Sequence, residues 1–156
     1  MKIMLDEGAK MPTRAHPWDA GLDLYSPVDC VVPPCKTVFS YTFGEPFPQI
    51  ETVAGSITID TGVHVEIPEG YVGFVKSKSG LMVKHCITTD GTIDSHYTGP
   101  IKVKLFNHHP YLRYDVSPGD KIAQLVIVPC LLPELELVDH LEETDRGDGG
   151  FGSTGR

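Results

Sequence analysis

The chain has 156 residues, 40% hydrophobic and 22% charged, which is enough for one domain with a buried core and nothing that marks a second. Its formal net charge of −8 leaves no general basic field, which argues against binding a long nucleic acid through its phosphates. Four cysteines without CxxC pairing fit a reducing cytoplasm; neither the amino terminus MKIMLDEGAK nor the Pro129-interrupted run LVIVPCLL supplies a signal h-region or a membrane span, so a soluble, cytoplasmic protein is expected.

Sixteen glycines and thirteen prolines punctuate short β-branched and aromatic runs with a two-residue period, which predicts an all-β chain. In chain order the clearest strands are VHVEI at 63–67, YVGFVKS at 71–77, IKVKLFN at 101–107 and KIAQLVIVP at 121–129. In the third, Ile101, Val103 and Leu105 point one way and Lys102, Lys104 and Phe106 the other. Turns are expected at Pro68-Glu69-Gly70, Asp90-Gly91 and Ser117-Pro118-Gly119-Asp120. The one expected helix, Ser79 to His85, is too short for an α/β crossover, so a sandwich or jelly-roll barrel follows. Residues 134–145 are acidic, with Leu135, Leu137 and Val138 spaced as in a last strand leading into the tail. His108 and His109 are adjacent, so a strand would send them to opposite faces, and they are read as surface residues rather than metal ligands.

The segment RGDGGFGSTGR, Arg146 to Arg156, cannot form a packed core. Its five glycines let N–H groups converge on an anion, and Ser153 and Thr154 add hydroxyl donors. Arg146 offers a planar fork for phosphate oxygens, and Phe151 a face for a flat ring. Phosphate plus planar ring suggests a nucleotide; a disordered glycine-rich terminus is the bland alternative.

Five motifs follow in order: DAGLDLYS at 19–26, SKSGL at 77–81, DGTIDSHYTG at 90–99, GDKIAQL at 119–125 and RGDGGFGSTG at 146–155. Together they resemble the trimeric dUTPase family over nearly the whole chain. The resemblance implies a jelly-roll barrel over residues 1–145 with one short helix and a flexible glycine-rich tail at 146–156. It implies hydrolysis of dUTP to dUMP and pyrophosphate, with Asp94 as the general base that activates water for attack on the α-phosphorus. This reaction limits uracil incorporation into DNA and supplies dUMP. Tyr97 would pack against the deoxyribose and reject a 2′-hydroxyl, and main-chain groups of Gly91, Thr92, Ile93 and Lys102 would read uracil. Lys78, Ser79, Gly80 and Gln124 would hold the phosphates, and Asp23 would touch Mg²⁺ through a water, the ion resting mainly on substrate phosphates. A homotrimer with shared sites is implied, in which Arg146, Phe151, Gly152, Ser153 and Thr154 of one subunit close over nucleotide held by two others.

Lys78 stands where the family commonly has Arg, exchanging a bidentate fork for a flexible point charge, and Lys121 replaces an Arg at a structural position. The related dCTP deaminases, or a bifunctional deaminase and diphosphatase, are the alternative; they need a glutamate where this chain has Thr98, and no glutamate lies between Glu69 and Glu134. An insertion at 42–56, TFGEPFPQIETVAGS, reads as a surface loop or hairpin. Tolerated as inert it needs no role; as a protein-binding surface it would make the chain a nucleotide-sensing regulator as well.

Overall fold

Strand β11 (Lys102–Asn107) buries Val103, Leu105 and Asn107 and exposes Lys102 and Lys104, the alternation that the sequence predicts for a half-buried strand. The computed structural model describes residues 1–40, 49–145 and 147. Besides β11, the described strands are β1 (Lys2–Leu5), β2 (Gly21–Tyr25), β3 (Cys30–Val32), β4 (Lys36–Ser40), β5 (Gln49–Val53) and β6 (Gly55–Asp60). They continue with β7 (Val63–Glu66), β8 (Tyr71–Lys76), β9 (Ile87–Thr88), β10 (Asp90–Ile93), β12 (Tyr114–Val116) and β13 (Lys121–Pro129). The helix α1 runs Ser79–His85, the range read from sequence, with Lys84 and His85 in its last turn complementing the helix dipole.

All the pairing is antiparallel, and the strands fall into small sheets: β10-β8-β13-β2, β6-β11-β9 and the pairs β1-β7, β12-β3 and β4-β5. Their inward residues make one jelly-roll core in which Leu24, Val32, Val63, Val75, Ile101, Val103, Leu105, Ile122 and Leu125 are almost wholly buried. Each such aliphatic side chain contributes about 1.5–3 kcal/mol on leaving water. The non-local ladders thereby set the ends of β8, β10 and β13 where the motif residues sit.

Two expected turns are present: Tyr71 N–H donates to Pro68 O at 3.2 Å with Gly70 at φ 80°, and Asp120 N–H to Ser117 O at 3.0 Å with Gly119 at φ 88°. Asp90-Gly91 is not a turn. It opens β10, where Asp90 pairs with Lys76 and Gly91 with Val75, because the β8 edge and the Lys76–Asp90 ion pair outweigh the local turn preference. Nor do residues 134–142 form a strand. Leu131, Leu132, Leu135, Leu137 and Leu141 stay exposed, since among the described residues their apolar face meets no sheet edge. Of the expected insertion, residues 42–48 lie outside the described residues, while β4 and β5 pair with each other and residues 55–56 already belong to β6. His108 and His109 follow β11 in a loop, His109 Nδ1 accepting the N–H groups of Tyr111 (3.1 Å) and Leu112 (2.9 Å).

Candidate active site

The β10-β8-β13-β2 sheet aligns Asp90, Lys76, Gln124 and Asp23 in one cross-strand row. Directly opposed residues share a face, so the row gathers charge and amide chemistry from three of the five motifs. Asp23 is 5% exposed, and Lys121 Nζ lies 2.7 Å from its Oδ2 while Lys78 Nζ holds Oδ1. Burial pushes the Asp23 carboxyl up, but the hydrogen bonds and charges of Lys121 and Lys78 together outweigh it and hold the group below its ordinary range. The same bond to Asp23 raises the Lys121 ammonium. Asp23 is therefore a carboxylate with both oxygens engaged, each keeping a further lone pair.

Beside it, Gln124 Nε2 donates to Ser77 O at 3.1 Å. Space for the amide comes from Gly21: a Cβ there would collide with Gln124 Oε1. Gly21, Asp23, Lys78, Lys121 and Gln124 line one cleft of about 400 Å³. Ser79 and Gly80 open α1 next to it and are exposed, and a helix start leaves its first N–H groups without partners inside the helix. Ser79 does not cap the helix; the cap position is Lys78, which makes no side-chain capping bond.

A second cleft, about 220 Å³, is lined by Thr92, Ile93, Asp94, Tyr97 and Lys102. Among the described residues strand β10 is a sheet edge, so one row of its N–H and C=O groups has no strand partner there. Beyond it the chain turns, Tyr97 N–H donating to Asp94 O at 3.1 Å, and leaves Asp94 exposed. The Tyr97 ring lies across Gly99, where a Cβ would stand 2.5 Å from the phenol oxygen, and its hydroxyl donates to Pro100 O at 2.9 Å. Gly91, at the start of β10, does not line this cleft.

The two clefts are separate. Ile93 pairs with Gly73 and Asp90 with Lys76, so Asp94 and Lys78 extend beyond opposite ends of the β8–β10 ladder. Along β8 the two levels differ by about six residues, roughly 20 Å of strand rise. The smaller cleft also falls below the roughly 300–1,000 Å³ of a complete small-molecule site. Arg146, Phe151, Gly152, Ser153 and Thr154 lie outside the described residues. Sequence reasoning missed the space-making roles of Gly21 and Gly99, although both sit inside motifs, and the Lys121–Asp23 bond, which joins residues far apart in the chain.

Among the described residues no cluster of three or more His, Cys, Asp or Glu is disposed to hold a metal ion. Mg²⁺ keeps several waters and takes one or two carboxylates plus phosphates, so an ionised Asp23 facing a phosphate-sized cleft fits it as an outer acceptor.

The family model for dUTPase matches residues 49–155. The deoxyuridine 5′-triphosphate nucleotidohydrolase of Arabidopsis thaliana is 41% identical over 152 residues, covering 97% of this chain and 80% of the relative. Among solved structures, the Staphylococcus bacteriophage 80alpha dUTPase with dUPNHPP superposes at a TM-score of 0.80 with 32% identity, covering 99% of this chain and 98% of the other. A mutant dUTPase from phage phi11 of S. aureus, reported with a structural Mg(II) ion, gives 0.73 at 31% identity over 91% and 98%.

Proposed function

The chain belongs to the dUTPase family and is a dUTP nucleotidohydrolase; from that premise we propose how its residues divide the reaction. The observation that carries the proposal is Asp94, exposed at the end of edge strand β10 in one cleft with Thr92, Ile93 and Tyr97. The outward row of main-chain groups along β10, within Gly91 to Ile93, with Lys102 alongside, reads the uracil edge, Gly91 acting from beyond the cleft's lining, and fixed backbone polarity rejects the amino donor of cytosine. Tyr97 closes the deoxyribose side, where a 2′-hydroxyl would find no partner. Asp94 orients a water and accepts its proton as the water oxygen bonds to the α-phosphorus, while the α–β bridging bond breaks and pyrophosphate leaves.

Lys78, Ser79, Gly80 and Gln124 hold the phosphates, with Lys78 acting as a point charge. Asp23 would face Mg²⁺ across a water, and the ion, when bound, supplies charge neutralisation on the phosphate oxygens. The tail residues Arg146, Phe151, Gly152, Ser153 and Thr154 close over the nucleotide and exclude bulk water.

Because Asp94 and Lys78 extend beyond opposite ends of the β8–β10 ladder and line different clefts, each site is assembled from neighbouring copies in a homotrimer. The uncovered leucines between 131 and 141 support it, as they need a partner surface. A cytoplasmic location is supported by four free cysteines, and among the described residues no helix is long and apolar enough to cross a membrane. Nothing favours the deaminase, whose proton-transfer glutamate has Thr98 in its place.

The test is pyrophosphate release from dUTP, dCTP, dTTP and UTP in parallel, with Mg²⁺ and with chelator. Release from dUTP alone, lost on chelation, is expected. Equal release from UTP would remove the Tyr97 role, and deoxyuridine nucleotide with ammonia formed from dCTP would restore the deaminase.

A further inference from the structure

His64, on β7, is outside every motif and its ring is largely shielded, with 15% of the side chain exposed. Both ring nitrogens face oxygen acceptors: Nδ1 lies 2.8 Å from Thr98 O and Nε2 3.2 Å from Asp6 Oδ2. A carbonyl and a carboxylate can only accept, so both bonds exist together only when the ring carries two N–H groups, as imidazolium. Thr98 lies between Tyr97 and Gly99, the pair whose close approach seats the aromatic ring. Among the described residues, the bonds of Tyr97 N–H and hydroxyl within this segment go to Asp94 O and Pro100 O, and the side-chain bond tying it to the body comes from His64.

We propose that His64, as imidazolium, is a positioning residue for the nucleoside cleft, its two N–H groups tying the Tyr97–Gly99 segment to the Asp6 loop. The inference rests on the reading that Tyr97 meets the deoxyribose. A neutral ring has one N–H, so the other nitrogen presents a lone pair to an acceptor oxygen and the ring turns away from one of the two. The segment then loses its fixed distance from the barrel, and the Tyr97 wall loses its preorganisation. The charges facing the ring support the protonated form. Asp6 comes from the loop after β1 and Asp60 from the end of β6, while Lys2 of β1 and Glu66 of β7, which line the same side, neutralise each other at 2.9 Å. The bond to Thr98 O, then that to Asp6, outweighs desolvation and raises the imidazole above its ordinary value. The sign follows: the clamp is complete below the raised value and is lost as pH rises through it.

KM for dUTP measured between about pH 6 and 9 tests this in wild type, His64→Gln, His64→Lys, Asp6→Asn and Tyr97→Ala. In wild type KM rises about fivefold through one step, the size of one lost hydrogen bond. That step is absent from His64→Gln, whose KM is high throughout, and from His64→Lys, which keeps the charge. Asp6→Asn moves it to lower pH. By linkage, dUMP must raise the pH at which the His64 ring titrates in the NMR spectrum of the wild-type protein, a measurement that needs no variant. A wild-type KM flat with pH, the same step surviving in His64→Gln, or a ring titration unmoved by dUMP overturns the assignment. A Tyr97→Ala enzyme with wild-type KM would sink the cleft reading itself; an impaired Tyr97→Ala beside a flat wild-type profile would sink His64 alone.

Discussion

Lys121 Nζ stands 2.7 Å from Asp23 Oδ2, across the end of the β2–β13 ladder, while Lys78 takes the other oxygen. One nearly buried carboxylate thus fixes two ammonium groups at the mouth of the phosphate cleft. Asp23→Asn leaves both lysines without their counter-charge and is expected to cost about 1–3 kcal/mol. The pH dependence has a definite sign. The folded carboxyl lies below its unfolded value, so wild type holds this advantage above about pH 4 and loses it as pH falls through the lower folded value. Urea unfolding of both proteins along a pH series checks it, and a gap that stays constant into strong acid contradicts it.

Asp94 separates binding from chemistry. It sits in the nucleoside cleft but is exposed, and no side-chain hydrogen bond to it is present among the described residues, so its replacement should leave the fold intact. Asp94→Asn retains shape and loses the proton acceptor, and kcat is expected to fall by about 10²–10⁴. Calorimetry with a non-hydrolysable dUTP analogue should give an affinity within about threefold of wild type. A mutant that keeps its rate would end the general-base assignment.

Gly99 is required by space, not by backbone conformation. A methyl there would stand 2.5 Å from the Tyr97 hydroxyl oxygen and 2.7 Å from the adjoining ring carbon. The ring is the movable partner, so Gly99→Ala should change the melting temperature little while displacing the deoxyribose wall. Discrimination of dUTP against UTP in kcat/KM is expected to fall about tenfold or more. Unaltered discrimination would mean that the Tyr97 ring does not contact the sugar.

What could be read in advance was local. β13 and α1 have the bounds expected from sequence because their patterns are strong and their ends are marked by Pro118-Gly119 and by the helix-favouring run after Lys78. Asp90-Gly91 misled because a turn signal is local, whereas the partner that makes it a strand, Lys76-Val75, is supplied by the fold. Leu135 and Leu137 misled in the opposite sense: the strand pattern is present, but among the described residues no edge receives it. The motifs named Asp23, Lys78, Gln124, Asp94 and Tyr97, yet could not say that they divide between two clefts, since that depends on the register of β10 against β8. His64 carried no signal, its bonding to Thr98 being a product of tertiary structure alone.

That division gives the sharpest test of assembly. If a site joins the Asp94 cleft of one copy to the Lys78 cleft of another, two inactive chains can complement each other. Asp94→Asn lacks the base but keeps the phosphate residues, while the Lys78→Ala/Ser79→Ala double variant keeps the base. Co-expressed with separate affinity tags and purified through both, the mixed trimers should regain activity at about a third of their sites, because in a 2:1 or 1:2 ring one of the three neighbour pairs brings the good half of each kind of chain together. Light scattering on the same sample should give three times the 17.1 kDa chain mass. Were each site built within a single chain, no mixture of these two variants could contain a complete one, and doubly tagged oligomers would be as inactive as either parent.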